Sequence, residues 1–223
     1  MSDLDTTAYQ PIPAKGVGAE RFDEPALFYL THQAVIDEWY SLRKAVTGAL
    51  NDWLETTVRE AISEVAQRHS LIIGGANGPR GQAHVVAYPD SMPVIASRPA
   101  VGIGLGWSRD GVNPISNPPF ACVRRIGRAA GKAGAAALLE HGGRDFRSRE
   151  SCRGRDNDPW PLYSNIPARP QWWTDLDAYL DAIVRGVERY IDGLTGALAA
   201  AVAAAQSAAP GPGDDSDEGE DEV

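Results

Sequence analysis

The sequence predicts an α+β protein with an antiparallel sheet of four or five strands, flanked by two long amphipathic helices. Two observations support this fold class. Apolar residues recur with helical spacing at both ends of the central region and at every second position between them. The linkers between the middle apolar runs are short and rich in glycine and proline, whereas a parallel crossover needs a dozen or more residues. At 223 residues, the chain is expected to form one domain.

The first helix is predicted from Pro25 to about Ser70, with the proline at a favourable first helical position. Gly48 and the pair Thr56-Thr57 are points where this helix is expected to bend or break. Its apolar stripe alternates spacings of four and three and then continues one step out of phase. The stripe consists of Val35, Trp39, Leu42, Val46, Ala49 and Trp53, followed by Leu54, Val58, Ala61 and Val65.

Strands are predicted in the middle of the chain, separated by turn-forming segments. The segment VGIGLGW, residues 101–107, lacks the following helix that a dinucleotide fingerprint requires, so it is interpreted as a strand. Its glycines should open a groove on one face of the sheet, which Trp39 or Trp53 could fill. The predicted strands are LIIGG, AHVVAY, PVIAS, VGIGLGW and FACVRRI, with a sixth candidate in WPLYS, residues 160–164.

The second long helix is predicted from about Thr174 to about Gln206. Thr174 and Asp177 resemble a capping box at its start. Its apolar stripe indicates a helix with one buried face. The stripe consists of Leu176, Leu180, Ile183, Val187, Tyr190 or Ile191, Leu194 and Leu198.

A basic insertion near residues 127–158 interrupts the series of strands. Its first part, GRAAGKAGAAALLEHGG, is compatible with a short helix, whereas GRDFRSRESCRGRDNDP lacks apolar periodicity and is predicted to be a mobile surface segment. Arginine side chains suit phosphate contact, and Phe146 among them could stack on an exposed base. The candidate nucleic-acid-binding residues are Arg144, Arg147, Arg149, Arg153, Arg155 and Phe146.

Both ends of the chain, residues 1–24 and 207–223, are predicted to be disordered arms outside the fold at 25–206. The net charge is −9, and seven acidic residues lie between Asp214 and Glu222. One hypothesis is that this acidic tail occupies the basic insertion and competes with nucleic acid for it.

No catalytic, cofactor-binding or metal-binding residue is assigned. The chain has neither a Walker phosphate loop nor a Gly-x-Ser-x-Gly elbow, and its four histidines are scattered. The pair Pro89-Asp90 precedes a strand, as in restriction-type nucleases. Their metal chemistry also needs an acidic residue, one intervening residue and a lysine on a following strand, and no such triplet occurs. An inactive relative of those nucleases is one alternative, and an enzyme with an unfamiliar site is another.

The favoured interpretation is a non-enzymatic protein-interaction or regulatory protein that binds a protein partner or self-associates through its helices. Nucleic-acid association is the alternative. Trp160, Trp172 and Trp173 are candidate partner-binding residues, weighed against a role in the core. No signal peptide or membrane span is predicted, which favours a cytoplasmic protein with no membrane partner. The excess of arginine over lysine favours a bacterial or bacterial-virus origin.

Overall fold

The computed structural model of the protein describes residues 23–77, 82–169 and 172–209. The two predicted disordered arms lie outside these ranges, except for residues 23–24 and 207–209. Contacts between residues divide the chain into two units, Met1–Ala49 and Leu50–Val223. The sequence predicted one domain over residues 25–206, whereas this division falls inside the first long helix.

The predicted first helix consists of three consecutive pieces. Helix α1 spans Glu24–Trp53, a π-helical turn spans Leu54–Val58, and helix α2 spans Arg59–Arg68. The irregularity predicted at Thr56-Thr57 is present as this π-helical turn, in which the chain remains helical, whereas α1 continues through Gly48 without the predicted bend or break. The Thr56 hydroxyl donates a hydrogen bond to the Asp52 carbonyl at 2.6 Å. A π-helical turn holds an extra residue, which accounts for the one-step phase shift in the apolar stripe.

The second unit contains an antiparallel sheet of five strands in the order β1-β2-β5-β6-β7, so the predicted fold class is confirmed. Ile103 on the central strand pairs with Ala87 on one side and Val123 on the other. The bounds of the strands are β1 Ile72–Asn77, β2 Gln82–Tyr88, β5 Val101–Ser108, β6 Phe120–Arg125 and β7 Leu162–Asn165.

The predicted strand PVIAS is confirmed at only two of its residues, and these do not join the five-stranded sheet. Instead, β3 (Val94–Ile95) pairs only with β4 (Arg98–Pro99) in a separate small hairpin. Ala96 and Ser97 have φ values of 49° and 63°, so the chain turns back immediately after two paired residues. Because of this turn, the segment pairs within its own hairpin and not with a strand of the larger sheet.

The basic insertion is largely helical and partly buried, so the short helix predicted in its first part is confirmed and the irregular surface segment predicted for its second part is wrong. Residues 127–158 contain helix α3 (Ala129–Leu138), a kinked π-helical turn (Leu139–Gly143) and helix α4 (Arg144–Glu150). Leu138 and Phe146 are buried in the core. A Cβ on Gly134 would lie 3.1 Å from the Ala201 carbonyl oxygen, so α3 packs backbone to backbone against the last helix. Alanine and glycine allow this approach without leaving an apolar stripe in the sequence.

The last helix, α5, spans Leu176–Ser207 after a short 3₁₀ turn at Trp172–Thr174. Its N-cap is Asp175, whose carboxylate accepts a hydrogen bond from the Ala178 amide at 3.0 Å, and not Thr174 as predicted. Six of the predicted stripe positions are buried, which confirms one packed face. They are Ile183, Val187, Tyr190, Ile191, Leu194 and Leu198.

The glycine face of the central strand is filled by neighbouring strands and not by Trp39 or Trp53. A Cβ on Gly106 would lie 2.6 Å from the Phe120 ring, and one on Gly102 would lie 2.8 Å from Val86 Cβ. Trp160 crosses the same face and donates a hydrogen bond to Gln82 Oε1 at 2.9 Å. The alternate glycines therefore accommodate side chains that lie flat over the sheet.

Candidate interaction surface

Helix α1 exposes an unusual number of large apolar side chains. No residue from 23 to 49 whose burial the structure describes is buried. Trp39 is 66% exposed, and seven other large apolar residues of this unit are also exposed. A patch of this kind on a protein surface commonly marks an interaction site. The seven are Phe28, Tyr29, Leu30, Val35, Tyr40, Leu42 and Val46.

One side of this helix carries a heptad repeat. Alternating steps of three and four residues place Trp39 and Val46 at heptad positions a, and Val35 and Leu42 at positions d. Extending the same register in both directions adds Phe28, His32 and Ala49. We call the resulting row the α1 seam: Phe28, His32, Val35, Trp39, Leu42, Val46 and Ala49.

The start of the α1 seam is organised by local contacts within the helix. Asp23 Oδ1 accepts a hydrogen bond from the Ala26 amide at 3.0 Å, which caps the helix. The rings of Phe28 and His32 are 4.6 Å apart, and the Tyr29 hydroxyl donates to Asp37 Oδ1 at 3.3 Å. These contacts orient the aromatic side chains of the first two turns.

Two charged residues flank the centre of the α1 seam. Glu38 occupies heptad position g and Arg43 occupies position e, on opposite sides of the row. Neither has an oppositely charged residue three or four positions away on its own helix, where a helical ion pair would form. The row is therefore bordered by one negative and one positive side chain.

The structure places the candidate nucleic-acid-binding residues on α4 and the loop after it. Phe146 is only 1% exposed, with its ring 4.9 Å from that of Tyr190, so in this conformation it is not open to a base. Arg147 bonds Asp156 at 2.7 Å, and Arg144 lies 3.8 Å from the same carboxylate. Arg149, Arg153 and Arg155 are exposed.

Acidic side chains offset much of the charge around these arginines. A surface cavity of about 520 Å³ between α4 and α5 is lined by Arg149, Arg185 and Arg189, but also by Glu150, Glu188 and Asp192. Glu150 lies 3.5 Å from Arg149 and 3.4 Å from Arg189. This balance gives the cavity little net charge with which to attract a phosphate backbone.

The three candidate tryptophans occupy different environments. Trp160 is buried, with its ring 5.3 Å from Phe120 and 5.8 Å from His84, so it belongs to the core. Trp172 is half-buried against Tyr179 at 5.7 Å. Trp173 is 60% exposed, and it is the member of the set that presents most of its ring at the surface.

A buried polar group lies beneath Trp160. His84 is 3% exposed, and burial, followed by the nearby charges of Arg124 and Arg98, lowers its pKa to about 3. The imidazole is therefore neutral at pH 7. Arg124 lies 5.6 Å from the Trp160 ring, in cation-π geometry.

The two cysteines are free thiols in different surroundings. Cys122 is fully buried, and burial raises the pKa of its thiol. Cys152 accepts a hydrogen bond from the Tyr190 hydroxyl at 3.1 Å, and burial raises the pKa of that tyrosine. Within residues 23–77, 82–169 and 172–209, no three His, Cys, Asp or Glu side chains are grouped so that they could hold a metal ion.

Periodicity in the sequence predicted most of the α1 seam as a helical stripe, but none of its residues was predicted as part of a site. Heptad spacing alone is the same for a core-facing stripe and a partner-facing one. Glu38 and Arg43 were also missed as a flanking pair, although their positions relative to the stripe were a usable signal.

No helix in the described part of the chain has the length and hydropathy needed to cross a bilayer. Comparison with protein-family models, curated proteins and solved structures finds no match for this chain.

Proposed function

We propose that this is a protein-interaction protein, and that the α1 seam is the surface through which it binds another polypeptide. The observation that carries the proposal is the exposure of this row of apolar side chains. The row lies on the part of helix α1 that belongs to the unit Met1–Ala49. The proposal concerns binding and assigns no catalytic step to the chain.

The energetics of an isolated helix support a binding role. Helices in water owe most of their stability to the packing of an apolar face, and propensity alone leaves them marginal. In unit Met1–Ala49 that face is exposed at Val35, Trp39, Leu42 and Val46. Each large apolar side chain removed from water contributes roughly 1.5–3 kcal/mol, so a partner that covers the seam would stabilise the helix substantially.

Site-specific photocrosslinking in living cells tests this function. Benzoylphenylalanine is placed at Trp39 on the α1 seam and, in a matched control, at Lys44 on the opposite side of the helix. We expect a discrete crosslinked protein band from position 39 and little from position 44. Its mass, determined by mass spectrometry, reports whether the captured polypeptide is a second copy or a different protein. Equal or absent crosslinking at both positions would contradict the proposal.

Nucleic-acid association has less support than protein interaction. Exposed Arg149, Arg153 and Arg155 favour it, whereas the buried ring of Phe146 and the Arg147–Asp156 ion pair do not. The acidic tail that would mask the arginines lies outside the described residues. Salt-sensitive binding of a labelled oligonucleotide, tightened by removal of residues 207–223, is the result that would favour this alternative.

A further inference from the structure

We infer that the partner of the α1 seam is a second copy of this chain, joined to the first in a parallel, in-register, two-stranded coiled coil. The inference rests on the proposed function and names the partner for that surface. The apolar spacing, the side chains that occupy it and the flanking charges support it independently.

The repeat has the length and composition of a two-stranded coil. Positions a and d continue without interruption from Phe28 to Ala49, which corresponds to about three heptads. Leu42 at d followed by Val46 at a is the combination that favours two parallel strands over three or four. Five of the seven seam residues are large apolar side chains that the structure leaves exposed: Phe28, Val35, Trp39, Leu42 and Val46.

Charge complementarity identifies the second strand as a copy of the first. In a parallel in-register pair, a residue at g faces the e residue five positions further along the partner. Glu38 at g therefore faces Arg43 of a second copy, and by symmetry Arg43 faces that copy's Glu38. One sequence thus supplies both halves of two interhelical ion pairs.

The same charges disfavour an antiparallel pair. Antiparallel strands bring g positions opposite g positions, and the g positions of this unit are Thr31, Glu38 and Ala45. None of these is basic, so Glu38 would have no cation to pair with. The parallel arrangement is the one in which Glu38 and Arg43 are both neutralised.

Analytical ultracentrifugation of the full chain tests the inference. We expect a concentration-dependent dimer. Leu42→Glu places a carboxylate in the seam of both strands and should weaken dimerisation by on the order of 100-fold or more. The matched control Gln33→Glu adds the same charge on the side of the helix away from the seam and should leave the dimer constant unchanged. A monomer at all concentrations, or equal effects of the two substitutions, would overturn the inference.

Charge reversal tests the register without altering the apolar seam. Glu38→Arg alone and Arg43→Glu alone each juxtapose like charges and should weaken their own homodimers about tenfold. Mixing the two variants places the introduced arginine of one chain opposite the introduced glutamate of the other, so the mixed heterodimer should regain wild-type affinity. A mixture that associates no better than the separate variants would rule out the parallel register.

The outcomes separate this inference from the function on which it rests. If the chain sediments as a monomer but crosslinks to a different protein from position 39, the α1 seam is an interaction surface whose partner is not a second copy. If the chain neither dimerises nor crosslinks, both proposals are wrong. The two exposed charges can be reversed without disturbing the buried core, so misfolding does not obscure the result.

Discussion

At the level of single residues, burial keeps several titratable side chains of the core uncharged. His84 is enclosed by Trp160 and lies near Arg124, so it remains a neutral imidazole. Tyr179 and Tyr190 are likewise held protonated, because burial raises the pKa of each hydroxyl. These groups act as uncharged parts of the core, whereas Glu38 and Arg43 on α1 are exposed.

The lowered pKa of His84 predicts a pH-dependent stability. The unfolded imidazole titrates near pH 6.5 and binds protons more readily than the folded one. The stability that neutral His84 provides is therefore complete above about pH 6.5 and is lost as the pH falls toward about 3. Across this window, this group alone should cost up to about 1.4 kcal/mol of unfolding free energy per pH unit.

Urea unfolding of the wild type and of His84→Gln at pH 7, 5.5 and 4.5 measures this effect. The wild type should lose more unfolding free energy than the variant at each step toward acid, because the amide does not titrate. Comparing the slopes of unfolding free energy against pH for the two proteins removes any pH-independent effect of the substitution on packing. Parallel pH profiles for the two proteins would show that His84 does not provide this dependence.

At the level of secondary-structure elements, glycines set how closely helices approach their neighbours. On α5, a Cβ on Gly193 would lie 2.3 Å from the buried Phe146 ring of α4. A Cβ on Gly196, three residues further along the same helix, would have no described atom within 4 Å apart from its chain neighbours and the adjacent backbone of the helix itself. The sequence contains both glycines but does not distinguish them, since only packing shows which one faces a neighbour.

The two glycines predict opposite effects of one substitution. Gly193→Ala should lower the unfolding free energy by about 1–3 kcal/mol, because Phe146 is held by Tyr190 and cannot move aside freely. Gly196→Ala should raise it by roughly 0.5–1 kcal/mol, through a better helix propensity at an open position. Chemical denaturation of both variants checks the pair, and a stabilised Gly193→Ala would mean that α4 packs more loosely than described.

The prediction of elements succeeded where side-chain periodicity is strong. The stripe of α5 and the alternation in VGIGLGW were sufficient to place the last helix and the central strand. The short helix predicted in residues 127–143 is confirmed as α3, but α4 was missed, because Phe146 is its one buried residue and leaves no periodic signal among charged neighbours. The prediction also made the strand in PVIAS too long, because two left-handed residues end it after Ile95.

At the level of the whole molecule, the buried core that the structure describes lies in the second unit. Within residues 23–77, 82–169 and 172–209, every buried residue of the core cluster lies between Leu50 and Ala205. Asn51 connects the end of α1 to the sheet, because it accepts a hydrogen bond from Trp107 Nε1 at 2.9 Å and donates one to the Arg109 carbonyl at 2.8 Å. These contacts begin just after the division between the units.

This division predicts that the core folds without most of α1. A chain shortened to begin at Thr47, which can act as an N-cap, should keep its cooperative unfolding transition, with a free energy within about 1 kcal/mol of the full chain. Circular dichroism during urea titration measures the transition. Loss of cooperativity would show that residues before Thr47 contribute to the core after all.

The sequence by itself determined the α+β class, the two long helices, the antiparallel order of the strands and the apolar row along α1. Each of these follows from local periodicity or from linker length, which neighbouring residues encode directly. Tertiary structure decided which apolar row is buried, because the stripe of α5 packs on the sheet whereas that of α1 up to Ala49 is exposed. It also decided that Phe146 and Trp160 are core residues and that Trp173 is not. Burial depends on contacts with residues that are distant in sequence, and the spacing of apolar residues along one helix does not reveal those contacts.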